Sequence, residues 1–171
     1  MSGELEIVNK IIDEHRTIRT HMKLVGDTVS DPEGLLKLEQ ARPDWMLGAP
    51  EQLGEKQTRL GQNLNYLFEG LQNHFALEEK WLPDLLGGLM MEALILEHVE
   101  IKATIDAIRS AVSGINLEQM THEQRLSFKW SMQQKMEDMR QLLENHAGKE
   151  ETILSMVKKA IEARRKRAQK A

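Results

Sequence analysis

Apolar residues recur along this chain at intervals of three and four in four separate segments, the spacing that places them on one face of a helix. The predicted helices run from about Glu4 to Val29, from about Glu55 to Leu82, from Leu85 or Leu89 to Val112, and from the N-cap Thr121 towards the basic end of the chain. Pro83 and Gly114 end the second and third of them. The predicted core faces continue as far as Trp81 in the second helix and, through Ile153, as far as Val157 in the fourth.

The segment from about 31 to 54 interrupts this pattern with Pro32, Pro43 and Pro50 and is predicted to be an irregular insertion between helices 1 and 2. Four long helical segments without strand-like stretches predict an all-α fold, an up-down-up-down four-helix bundle. A length of 171 residues corresponds to one domain over residues 1–171, with a basic tail at about 163–171.

Composition narrows the classes of function. The net charge of -4 argues against a nucleic-acid partner, because nucleic-acid-binding domains are usually basic. The chain has no cysteine, so disulfides and thiolate metal ligands are excluded. No run approaches the roughly 20 apolar residues that a membrane span needs, and the first residues do not resemble a signal peptide. We therefore expect a cytoplasmic protein without a membrane or nucleic-acid partner.

Each predicted helix carries one histidine on its apolar face, and two of the helices add a glutamate four residues later. These residues are His15, His74 with Glu78, His98, and His146 with Glu150. The i, i+4 spacing puts both members of each pair on one side of the helix. In an up-down bundle the four histidines lie at similar depths, so the six side chains are predicted to meet in one layer of the core.

This polar layer has two explanations, a hydrogen-bonded core and a metal site. A single inward histidine is more often a hydrogen-bonded core residue than a metal ligand. Four histidines with two glutamates, and no inward lysine or arginine, are difficult to satisfy by hydrogen bonds because a buried ionised carboxylate costs several kcal/mol. Two divalent cations would satisfy them, with imidazole as terminal ligand and carboxylate as bridge. The pattern therefore favours a two-metal site, for which iron, manganese and zinc are all suitable.

Several short motifs carry a family resemblance across all four helices. They are Asp13-Glu14-His15-Arg16, His74 to Glu79 with Leu82-Pro83 following, Glu97-His98, and His146 with Glu150-Glu151. Together they resemble the hemerythrin HHE cation-binding family. The resemblance implies two iron ions and a bridging oxide or hydroxide. It further implies that the four histidines are terminal ligands and that Glu78 and Glu150 are bridges.

One position departs from the family pattern. Oxygen-carrying hemerythrins have a further histidine one turn after the first on the third helix, where this chain has Lys102. The six remaining ligands leave room for a small ligand such as dioxygen, peroxide or nitric oxide, and weaken the case for simple oxygen transport. The resemblance also admits iron sensing, repair or storage, and it does not decide whether the protein is an enzyme. A non-catalytic metal-dependent sensing module and a metal-free helical bundle are the alternatives.

Two further glutamates adjoin predicted ligands. Glu79 follows Glu78, and Glu97 precedes His98. Either could accept a hydrogen bond from an imidazole N–H behind a metal, or could simply face solvent. The sequence does not separate these two roles.

Overall fold

A computed structural model of the protein describes the backbone of residues 2–30, 49–116 and 119–169, and the side chains of residues 3–23, 64–116 and 119–169. The helices in this part of the chain are α1 (Ser2–Ser30), α2 (Ala49–Trp81), α3 (Pro83–Leu86), α4 (Gly88–Ser113) and α5 (His122–Ala168). The described residues contain no strand, which confirms the prediction of an all-helical protein. No helix among them is long and apolar enough to cross a membrane.

The helix boundaries differ from the prediction at two places. Helix α2 begins at Ala49 rather than near Glu55, because Pro50 falls in the first turn, where a missing N–H costs no hydrogen bond. The rest of the predicted insertion, residues 31–48, lies outside the described residues. Between α2 and α4, Pro83 begins the single turn of α3, and Gly87 follows with φ of 80°, a left-handed conformation that glycine adopts without strain.

The start of α5 agrees with the prediction. The side chain of Thr121 accepts a hydrogen bond from the N–H of Gln124 at 3.2 Å, and the Gln124 side chain accepts one from the N–H of Thr121 at 2.8 Å. This reciprocal arrangement satisfies two backbone donors at the helix N-terminus. From there α5 continues as far as Ala168, so the predicted basic tail is helical up to that residue.

Among the described side chains the apolar core consists of two clusters. The larger contains Met22, Leu64, Leu67, Leu71, Phe75, Ile101, Ile105, Ile108, Val112, Met132, Met136, Met139 and Leu143. The smaller contains Val8, Ile11, Leu82, Met91, Leu94 and Leu154. Helices α1 and α4 pass from the smaller to the larger cluster, whereas α2 and α5 pass from the larger to the smaller. Both α1 and α4 pack against both α2 and α5.

Two predicted core positions are wrong in detail. Trp81 is 40% exposed at the end of α2, and in α5 it is Leu154 rather than Ile153 that is fully buried. The buried face of α5 therefore advances from Glu150 to Leu154 in a step of four, as the period of 3.6 residues per turn allows.

Candidate metal centre

The six predicted residues lie between the two apolar clusters and are buried. His15, His74 and His146 are each 2% exposed, and His98, Glu78 and Glu150 are fully buried. They come from α1, α2, α4 and α5, each placed by the apolar face of its own helix. Ligand atoms of His15, Glu78, His146 and Glu150 lie within 4.8 Å of one another. The structure thus brings together all the side chains that the sequence analysis singled out.

The carboxylate of Glu78 divides the four histidines into two pairs. Its Oε1 lies 2.6 Å from His74 Nε2 and 3.5 Å from His15 Nε2. Its Oε2 lies 3.1 Å from His98 Nε2 and 3.8 Å from His146 Nε2. Glu150 Oε2 lies between one member of each pair, 3.2 Å from His15 Nε2 and 3.6 Å from His146 Nε2. Each oxygen of Glu78 therefore faces a different pair of histidines.

The outer nitrogen of every one of these histidines contacts a glutamate from another helix. Nδ1 of His15 lies 3.2 Å from Glu151, that of His74 lies 2.9 Å from Glu14, that of His98 lies 2.9 Å from Glu79, and that of His146 lies 3.1 Å from Glu97. An ionised carboxylate can only accept a hydrogen bond, so Nδ1 carries the proton. With Nδ1 as the donor, each Nε2 is the nitrogen that would present its lone pair to a metal in the cluster.

Basic residues stand behind these outer carboxylates. Lys149 lies 2.6 Å from Glu97, and Arg19 lies 2.7 Å from Glu151. Lys102 lies 3.5 Å from Glu79, and its ammonium is 5.3 Å from the ring centre of Phe75. The residue that departs from the family pattern therefore contacts the carboxylate behind His98. It faces the outside of the site.

The inner atoms of the cluster lack hydrogen-bond partners. These eight buried atoms are Nε2 of His15, His74, His98 and His146, and both carboxylate oxygens of Glu78 and Glu150. Imidazole lone pairs that face carboxylate lone pairs across 2.6 to 3.8 Å repel each other unless a positive charge lies between them. Nitrogen and carboxylate oxygen donors suit iron, zinc and manganese. The residues present fit a metal site, and the buried group could hold a metal ion.

Protons take the place of cations when no metal is bound. Burial lowers the pKa of His15, but the carboxylates of Glu150 and Glu78 outweigh burial and raise it to about 9. Burial raises the pKa of Glu78, yet the four histidines around it hold that pKa far below its usual range. Burial and the neighbouring carboxylate of Glu78 raise the pKa of Glu150, and together they outweigh His15, which lowers it. The cluster therefore attracts positive charge to the space between its own donors.

The outer carboxylates were only partly foreseen. The contacts of Glu79 and Glu97 confirm the first of the two roles considered for them, whereas the roles of Glu14 and Glu151 were missed. All four are immediate sequence neighbours of an inward ligand, and this adjacency was the signal that could have found them. Burial acts to raise the pKa of Glu151, but hydrogen bonding to Arg19 and the neighbouring His15 lower it overall, which keeps this carboxylate ionised.

Comparison with known proteins gives one result at the level of the family. Searches of curated proteins and of solved structures give no match. The hemerythrin HHE cation binding domain model matches residues 6–157, a range that includes all six inward residues and all four outer glutamates. The chain therefore belongs to the hemerythrin HHE cation-binding domain family.

Proposed function

We propose that the protein holds a carboxylate-bridged di-iron centre and uses it to interact with dioxygen, peroxide or nitric oxide, or to handle iron itself. The observation that carries this proposal is the position of Glu78, whose two oxygens face different pairs of histidines. A side chain so placed can link two ions, each of which has two imidazole nitrogens to itself. Glu150, within reach of His15 and His146, is the second link.

An up-down-up-down bundle and a single domain are also part of the proposal. The alternating order in which the helices pass the two apolar clusters supports an up-down-up-down bundle of α1, α2, α4 and α5. The site needs a side chain from each of these helices, which supports a single domain. Family membership supports the general class of a cation-binding protein, and the choice of iron and of small ligand is ours.

The chain's own residues prepare the site in two ways. The outer glutamates hold the Nδ1 protons, so that each imidazole presents a lone pair inwards. The apolar clusters above and below the site lower the local dielectric constant, which strengthens electrostatic attraction to a cation. When bound, two irons would supply one-electron chemistry and coordination positions that the six protein ligands do not fill.

Metal content tests the proposal directly. Protein expressed in iron-supplemented medium is expected to contain two irons per chain and to show oxo-bridge absorption in the near ultraviolet and visible. We expect Glu78→Ala and His146→Ala to lower metal content and melting temperature together, because each removes a ligand from the centre. His21→Ala is a suitable control, since this half-buried histidine contacts only the carbonyl of Thr17 and the Tyr66 ring among the described contacts.

Three outcomes have different meanings. Two irons in the wild type, with loss in both ligand variants, would support the proposal. Two zinc or manganese ions would retain the site but refute the iron chemistry. Unchanged metal stoichiometry in both Glu78→Ala and His146→Ala would refute the assignment of the ligands.

A further inference from the structure

A cavity of about 460 Å³ lies between α1, α2 and α5. His15, His74 and His146 line it, and since all three are almost fully buried they mark its inner end. Its outer end opens between exposed or half-exposed charged side chains of α1 and α5. The cavity therefore connects the surface with one side of the candidate metal centre.

The size of the cavity exceeds what a diatomic molecule requires. A water molecule occupies about 30 Å³ of liquid, and a cavity of about 150 Å³ in another protein accommodates benzene. The present cavity is about three times as large as that benzene site. It falls within the range of about 300 to 1,000 Å³ that is usual for small-molecule sites. An organic molecule of two or three rings, or a medium-length alkyl chain, matches this space.

The walls of the cavity are apolar. Side chains from three helices form them, namely Ile18, Met22, Leu71, Phe75, Met136 and Leu143. All except Ile18 are buried members of the larger apolar cluster, which fixes their positions. An apolar body gains free energy by leaving water for such a surface, at roughly 25 cal/mol per Å². The walls thus select a hydrophobic molecule over a polar one.

Charged side chains surround the mouth of the cavity, namely Arg19, Lys23, Arg140, Glu137 and Glu144. Arg19 donates to Glu144 at 2.9 Å and to Glu151 at 2.7 Å, and Arg140 donates to Glu137 at 2.6 Å. The carboxylates at the mouth are therefore engaged by the two arginines. Lys23 is exposed on the α1 side and has no ion pair among the described residues, so it is the cation that an anionic group at the mouth would meet.

We propose that this cavity binds an organic molecule with an apolar body and one anionic group. The body lies along Leu71, Met136 and Leu143, and the anionic group remains at the mouth beside Lys23. The inner end of such a molecule comes next to three histidines of the centre. Binding in the cavity does not depend on a metal. We expect the metal centre to sense the bound molecule through these histidines, and this second part rests on the proposed function.

Decanoate is a suitable probe, with decanol as its uncharged counterpart. Calorimetric titration of the metal-free protein is expected to show saturable binding of one decanoate per chain. Ile18→Trp and Met136→Trp fill the cavity and should each weaken binding about tenfold or more, equivalent to about 1.4 kcal/mol. Phe128→Trp is the matched control, because Phe128 packs against the same cluster without lining the cavity.

The charge at the mouth has its own test. Lys23→Gln is expected to weaken decanoate binding about threefold, as for a single exposed ion pair, and to leave decanol binding unchanged. Equal effects on both probes would overturn the assignment of the anionic group. Absence of saturable decanoate binding, or wild-type affinity in both cavity-filling variants with their melting temperatures retained, would overturn the cavity proposal.

The dependence on metal is separated by repeating the titration with iron-loaded protein. A change in the visible spectrum on addition of decanoate, absent in Met136→Trp, would show that the centre senses the ligand. Decanoate binding to a protein that takes up no iron would support the cavity and refute the di-iron centre. Iron uptake without decanoate binding would support the di-iron centre and refute the cavity proposal.

Discussion

Replacement of Glu79 tests the role of the outer carboxylates most sharply. This glutamate accepts a hydrogen bond from Nδ1–H of the fully buried His98, with 2.9 Å between the nitrogen and the carboxylate oxygen. The side chain of Glu79 is itself 36% exposed. In Glu79→Ala the bound metal still requires a lone pair on Nε2, so the proton must stay on Nδ1 without a partner. A buried N–H without an acceptor costs about 1–3 kcal/mol. That cost falls on the metal-loaded state.

The metal-free state can avoid this cost. With no ion present, His98 can move its proton to Nε2, which faces Glu78 Oε2 at 3.1 Å. We therefore expect Glu79→Ala to weaken metal affinity about 10- to 100-fold and to leave the stability of the metal-free protein nearly unchanged. Glu79→Gln keeps an acceptor but loses the charge, and since charge-assisted bonds are roughly twice as strong as neutral ones, about three- to tenfold weakening is expected.

Competition with a chromogenic zinc chelator measures the affinity, and urea denaturation of the metal-free protein measures the stability. Glu69→Ala is the matched control, because Glu69 is an exposed glutamate of the same helix and, among the described contacts, makes no hydrogen bond or ion pair with the six inward residues. Wild-type zinc affinity in Glu79→Ala would refute the reasoning. An equal loss of stability in the metal-free protein would also refute it, since the carboxylate would then have a general structural role.

Three further predictions concern stability. In the metal-free protein the pKa of His15 is raised from 6.5 to about 9, so its protonated form stabilises the fold below about pH 6.5, and this contribution disappears as pH rises through about 9. The melting temperature of the metal-free protein should therefore fall between about pH 6.5 and about pH 9, whereas that of the zinc-bound protein should not. Equal pH profiles of the melting temperature for the two forms would contradict this. Ile105→Ala should cost about 2–5 kcal/mol in urea denaturation without changing the metal-to-protein ratio, because it empties a buried position outside the centre; a lower ratio would contradict this. Gly148→Ala should stabilise by about 1 kcal/mol, since Gly148 is exposed within α5 and an added Cβ would meet nothing within 4 Å; a lower melting temperature would contradict it.

The inward residues were predictable because one physical rule governs them. A polar side chain on an apolar helix face must be buried, and the period of 3.6 residues places it there regardless of how the helices are arranged. His15, His98 and Glu78 could therefore be identified without a structure. The N-cap Thr121 was found for a similar reason, because capping depends on residues three apart in the sequence.

The outer contacts depend on more than one helix, which is why sequence reasoning missed half of them. Glu14 and Glu151 point about 100° away from the ligand beside them, and each bonds a histidine on a different helix. Which neighbour they meet depends on the order and relative height of the helices, and helical periodicity carries no information on either. Counting Pro50 as a helix breaker predicts too late a start for α2, because proline is in fact well suited to a first helical turn.

The four outer contacts form a closed circuit around the molecule. Glu14 of α1 bonds the histidine of α2, Glu79 of α2 bonds that of α4, Glu97 of α4 bonds that of α5, and Glu151 of α5 bonds that of α1. No helix supplies both a histidine and the carboxylate that orients it. A slip of one helix by a single turn, about 5.4 Å, would break two contacts at once, the one made by its glutamate and the one made by its histidine. Correct assembly of the last helix thus completes the orientation of every one of these four histidines, so uptake of metal would report that the four helices have packed in register.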